Sequence, residues 1–204
     1  MAQQPGIAAR FFGALADANV NVVAVAQGSS ERNITAVVEA KHAARALRAV
    51  AHEDADLVAI GDLRNAEDIA LALSLAHGGH LVLAGAHAGS AGDCLNHLIR
   101  PFGKHDQDQA RSMLARTLRA VVAQHLVTRA DGKGCVPAIE LIVATPVVSE
   151  LIRRGGPIDV GSLAQSGKAQ KLVTLGDSLQ RLVTAGTVTA DEAERVARNQ
   201  QMLD

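Results

Sequence analysis

Apolar residues recur at helical spacing through residues 6–17, GIAARFFGALAD, where Ile7, Phe11, Ala14 and Leu15 share one face and Pro5 stands before the first turn. An apolar, β-branched run from Val20 to Val25 follows and ends at Gly28 and two serines, which predicts a strand. A second strand is expected over Ile34–Val38, after the SSERN turn, and helical spacing returns through Ala44, Leu47 and Val50 in residues 41–52. The order helix, strand, hairpin, strand, helix is that of a small α/β sandwich. Further on, Asp56–Asp62 (DLVAIGD) is a short unbroken apolar run, which predicts a strand buried on both faces. A helix over Asn65–Ala76 and a second buried strand over His80–Ala86 complete a parallel βαβ unit. The pattern then predicts a long helix from Gln107 to Gln124 and two strands, His125–Arg129 and Val136–Val143, turned by DGKG. After Pro146 everything reads as helix, with breaks at Gly155–Pro157, Gly167 and Gly186.

Composition narrows the function classes. The 204 residues are 48% hydrophobic and 20% charged with a formal net charge of −1, the balance of a globular chain and not of a disordered or nucleic-acid-seeking one. Phe11, Phe12 and Phe102 are the whole aromatic set, so the core must be built from Ala, Val, Leu and Ile, and stacking platforms for single strands or aromatic cages for cations are excluded. Cys94 and Cys135 are too few for a disulfide framework, although one pair stays open. No apolar run reaches the roughly 18 residues of a membrane span, and MAQQPG is unlike a secretion signal, so no membrane insertion and a cytoplasmic location are expected.

Candidate chemistry gathers at the ends of the two apolar strands. LVAIGD places the carboxylate of Asp62 where it could hold a magnesium-coordinated water beside a nucleotide phosphate; a solvated strand-end aspartate is the commoner account. No G-x-x-x-x-G-K-[ST] run occurs, and SGKA at Ser166–Ala169 lacks both the upstream glycine at the right spacing and the hydroxyl residue. HGGH puts His77 and His80 three apart, with His87 and His97 further on, but spacing fixes no third ligand and no metal is expected. His87 ends a strand, at the edge where α/β sheets bind ligands. Ser29, Ser30 and Ser90 are not in a G-x-S-x-G elbow.

From Gly6 to about Val50 the chain resembles an ACT regulatory module of the aspartokinase–homoserine dehydrogenase family, through GIAARFFGALADANVNVVAVAQGSSERNI and RALRAV. The resemblance implies that threonine or lysine binds between paired modules, contacted by Gln27, with Asn19, Gly28 and Ser29 nearby. The family's first strand would precede Gly6, where only MAQQP stands, so this segment is expected to be incomplete.

From about Glu53 onwards the chain resembles the second half of the type IV pilus retraction ATPases of the secretion-ATPase superfamily. EDADLVAIGDLRNAEDIALAL matches the Walker B segment, GGHLVLAGAHAGSA the histidine box with His80 and His87, ARSMLARTLRAVVAQHLV the long helix, and AIELIVATPVVSELIRR the C-terminal motif. The resemblance implies a partial RecA-like sheet with a helical C-terminal domain. It also implies ATP and magnesium as the family's cofactors, Asp62 and His87 as the catalytic positions, and Gly61, Arg64 and His80 on the nucleotide side. In the family's pattern the Walker B acid is Glu, one methylene longer than Asp62, while Asn65 stands for Asp, Ala88 and Gly89 for hydroxyl residues, and Ser149 for Arg.

Together these readings predict an α/β chain with an incomplete ACT-like segment over residues 1–52, a partial ATPase core over 53–145 and a helical domain over 146–204. The expected function is that of a retraction-motor relative, inactive towards ATP by itself, acting as a homo-oligomer or within a hexameric ATPase. The alternatives are an amino-acid-responsive binding module, or a fused or truncated chain without independent function.

Overall fold

The computed structural model describes residues 7–27, 34–38, 42–50, 56–156, 163 and 172–201. The chain divides into two compact units, Met1–Ile60 with Glu67–Ala84, and Gly61–Ala66 with Gly85–Asp204. The fold is α/β. Among the described residues no helix is long and apolar enough to cross a membrane.

In the first unit, α1 (Ile7–Asp17) is followed by β1 (Val22–Gln27) and β2 (Ile34–Val38), an antiparallel pair in which Gln27 faces Ile34, and then by α2 (Ala43–Val50). Leu15, Val20 and Ala46 form a small core, flanked by Phe11 and Phe12, whose rings meet edge to face at 5.3 Å. Asn19 explains how α1 ends. Its φ of 53° is left-handed, its N–H donates to the Ala16 carbonyl at 2.8 Å, and Val20 N–H donates to Leu15 at 2.9 Å. This is a Schellman stop, in which asparagine stands in for glycine and the side chains of Val20 and Leu15 close the apolar contact.

β3 (Leu57–Ile60), α3 (Ala66–His77) and β4 (Leu81–Ala84) make the expected parallel unit, with Leu57 paired to Leu81 and Ile60 to Ala84. Burial on both faces is not observed. Val58 and Ile60 are buried, but Leu57, Leu81 and Leu83 are 51%, 48% and 54% exposed. The run was apolar on both parities, yet the pair stands as a two-stranded sheet, distinct from that of β1 and β2, which do not extend it. HGGH ends α3 in the same way that Asn19 ends α1. Gly79 has φ 106°, and His80 N–H donates to the Leu75 carbonyl at 3.2 Å.

The second unit holds α4 (Ala91–His97), α5 (Gln107–Thr117), β5 (Ala120–Thr128), β6 (Cys135–Val143), α6 (Pro146–Arg154), β7 (Leu172–Val173), α7 (Leu175–Thr184) and α8 (Ala190–Gln201). The helix expected to run to Gln124 stops at Thr117, and residues 120–124 belong to β5. Pairing decides this: every β5 residue has a β6 partner, from Ala120 opposite Val143 to Thr128 opposite Cys135. The DGKG turn is present, with Gly132 at φ 68° and Asp131 Oδ1 accepting from Lys133 N–H at 2.9 Å. The region after Pro146 is not all helix, because β7 adds a short third strand beside β6, and α4 lies where no element was expected. Val127 and Ala138 pack with Leu175, Leu179, Val188, Ala193 and Val196 into the core of this unit. SGKA lies outside the described residues.

Candidate functional site

Asp62 and His87 come together. Both fall in the second unit, Asp62 two residues after β3 and His87 three residues after β4. Asp62 Oδ2 accepts from Arg64 Nε at 2.5 Å and stands 3.4 Å from His87 Nε2. The Arg64 hydrogen bond, joined by the charges of His87 and Arg64, holds the Asp62 carboxyl below the usual aspartate value, and the same bond raises the Arg64 guanidinium. His87 and Arg64 are exposed at 87% and 74% of their side chains, whereas Asp62 is 20% exposed.

Two glycines bring the segments carrying these groups side by side. Leu63 N–H donates to the Gly85 carbonyl at 2.9 Å, and a Cβ built on Gly85 would meet the Gly61 carbonyl oxygen at 2.3 Å. Gly85 is thus required by a close backbone approach, while a Cβ on Gly61 would meet open space. Gly61, read as a nucleotide-side residue, lends its carbonyl to that approach. His80 lies in the first unit, and its amide closes α3.

Beyond His87, the loop runs into α4. Ser90 caps this helix, its Oγ accepting from Asp93 N–H at 3.0 Å. The first helical amide, Ala91 N–H, donates to Glu140 Oε2 at 2.6 Å across 49 positions of sequence. Glu140 is the buried charged residue among those described, at 7% exposure. Sequence reasoning missed it, although a signal existed: Ala138, Glu140 and Ile142 share the inward parity of β6, so one acid interrupts a row of buried apolar residues. A cavity of about 150 Å³ opens between the loop and β5, lined by Ala86, Gly89, Ser90, Cys94, Val121 and Gln124 among others. Cys94 and Cys135 are both free, and burial raises the Cys94 thiol above its ordinary value. Among the described residues, no three His, Cys, Asp or Glu side chains gather as a metal set.

The residues expected to bind an amino acid lie in the first unit. Gln27 ends β1, and Gly28 and Ser29 lie outside the described residues. Asn19 borders a cavity of about 480 Å³ with Asn21, His42 and Arg45. Arg45 Nη1 donates to the Asn19 carbonyl at 3.4 Å, and His42 Nδ1 is buried without a hydrogen-bond partner among the described residues.

Comparison with known proteins finds two kinds of relative. The ACT domain family model matches residues 1–53. A bifunctional aspartokinase/homoserine dehydrogenase of Arabidopsis thaliana is 60% identical over 50 residues, 24% of this chain and 6% of that protein. A twitching motility protein of Neisseria gonorrhoeae is 35% identical over 160 residues, covering 78% of this chain and 43% of the relative. Among solved structures, the pilus retraction motor PilT with bound ADP superposes with a TM-score of 0.66 at 31% identity, over 75% of this chain and 43% of that one. The chain therefore spans less than half the length of the twitching-motility relatives it matches. Both sequence resemblances hold: the larger part of the chain is similar to twitching-motility ATPases and its beginning to the ACT region of aspartokinase–homoserine dehydrogenases.

Proposed function

We propose that this chain is a retraction-motor relative that works by assembly, supplying the Walker B and histidine positions without hydrolysing ATP by itself. The observation that carries this reading is the contact of Asp62 with His87 where the two segments leave β3 and β4. A carboxylate held in its charged form there suits a magnesium-bound water, and both of its described contacts fall on Oδ2, leaving Oδ1 for that water. A triphosphate would need the cradle and lysine of a G-x-x-x-x-G-K-[ST] loop, and no such run occurs in these 204 residues. Phosphate contacts would then be supplied from outside these residues. Support comes also from exposure: each large apolar side chain that is exposed among the described residues lies on a strand, as Leu57, Leu81, Leu83, Val122, Leu126 and Ile139 do. Of these, the faces of the parallel pair β3–β4 are of the kind ordinarily covered on both sides. The purified chain is expected to release no phosphate from magnesium–ATP above background. Robust turnover that Asp62→Ala abolishes would overturn the reading.

A second reading concerns the first unit, favoured by the match over residues 1–53 to the ACT domain family. There, threonine or lysine binds the ACT-like segment of paired chains, and Gln27 contacts it. Millimolar ligand is expected to raise the melting temperature, since a ligand that binds only the folded state stabilises it, and Gln27→Ala to remove the shift. No shift with either amino acid would sink this reading.

A further inference from the structure

We infer that Glu140 is the positioning residue of the histidine site, holding the loop that presents His87 to Asp62 by anchoring the first amide of α4. The inference rests on the first reading above for its functional meaning, but its geometry stands independently.

His87 carries little packing of its own. Its side chain is 87% exposed, and its described contact is Asp62 at 3.4 Å. What places the imidazole is therefore the course of the backbone through residues 86–90. That course is fixed at its start, where Leu63 N–H reaches the Gly85 carbonyl and Gly85 lies against Gly61. It is fixed at its end by Glu140 Oε2 on Ala91 N–H, at 2.6 Å and buried. The Ser90 hydroxyl serves a different amide, that of Asp93. Without Glu140, Ala91 N–H would be an unsatisfied buried donor at a helix start. No Lys or Arg contact is described for the Glu140 carboxylate, so the α4 amide is the partner that offsets its desolvation. A buried carboxylate kept for a single amide at the exit of the histidine loop is an expensive way to stabilise a sheet, because an apolar residue at this position of β6 would pack beside Ala138 and Ile142 at less cost. It is an effective way to fix a loop.

The experiment uses the full chain and the imidazole ¹⁵N–¹H spectrum, with the His87 signal assigned through His87→Gln. With Glu140 and Ala91 in place, Asp62→Asn is expected to displace the His87 Nε2 resonance. With Glu140→Ala that displacement is expected to be lost, and with Glu140→Gln, which keeps an acceptor oxygen at the same reach, it is expected to be retained. Ala91→Pro makes the same cut from the other side. It deletes the donor while proline suits the first helical position, and Ser90 before it is already extended at φ −134°, ψ 168°. Melting curves of all variants separate loss of fold from loss of position, and if Glu140→Ala does not fold, Ala91→Pro decides. A folded Glu140→Ala or Ala91→Pro chain whose His87 signal still responds fully to Asp62→Asn overturns the inference, as does loss of the response in Glu140→Gln. No nucleotide enters the measurement, so an active or inactive ATPase leaves this outcome untouched.

Discussion

The strand pairs β5–β6 and β3–β4 are drawn from the same small aliphatic residues, and they differ in how much of their support is local. β5 and β6 pair along their whole length, bend back through a turn that supplies its own hydrogen bonds, and bury Val127 and Ala138 against Leu175, Leu179 and Val188. Their outward positions include Gln124 and Thr128 alongside Val122 and Leu126. β3 and β4 pair over four residues each, joined by a helix, and their outward positions are Leu57, Ala59, Leu81 and Leu83. An antiparallel hairpin tolerates one wet face, whereas parallel strands are ordinarily covered on both. The hairpin thus reads as self-supporting, and the parallel pair as a surface awaiting cover.

The heaviest blow to this contrast is struck at the hairpin's own core. Leu179→Ala is expected to destabilise the second unit by about 2–5 kcal/mol, read as a fall in denaturant midpoint. A change under about 1 kcal/mol would mean that the hairpin is not held by that core. Next comes the backbone approach after the parallel pair: Gly85→Ala places a methyl 2.3 Å from the Gly61 carbonyl oxygen. It is expected to cost about 1–3 kcal/mol. Gly61→Ala, with open space around its Cβ, should stay within about 0.5 kcal/mol of the parent. Equal effects from the two glycines would refute the close approach. The smallest effect is electrostatic. Hydrogen bonds from Arg195 first, then Thr128, lower the Glu192 carboxyl from 4.5 to about 2. Its folded value lies below its unfolded one, so whatever it adds is present above about 4.5 and is lost as pH falls towards about 2. Carboxyl NMR should find that low midpoint, and Arg195→Ala should move it upwards.

Where local pattern and tertiary demand agreed, the elements were legible in sequence. The strand expected over Ile34–Val38 is β2 at its observed bounds, and Gly155 and Gly186 mark real breaks, at φ 72° and 66°. The errors share one cause. Residues 118–124 continue a helical apolar spacing, yet the Val121–Val122 pair found a β6 partner, and long-range pairing outweighed local propensity. Burial of β3 and β4 on both faces was inferred from apolar runs, which show what a strand could bury and not what covers it. Asp62 and His87 were singled out because each ends an apolar run, and the structure brings them within 3.4 Å of each other. Asn19 and His80 instead owe their backbone positions to helix termination, a role that residue type alone does not separate from ligand contact. Glu140 lay in plain view, but only the strand's inward parity gives a lone acid meaning.

The two cysteines make a practical contrast of their own. Cys135 is exposed at the start of β6, beside the turn, while Cys94 is partly buried and its thiol is pushed up by that burial. A maleimide dye at neutral pH should therefore enter at Cys135 and spare Cys94. The native chain thus carries a single labelling point at the hairpin's tip. Its fluorescence anisotropy would report directly whether a larger body has closed over the strands.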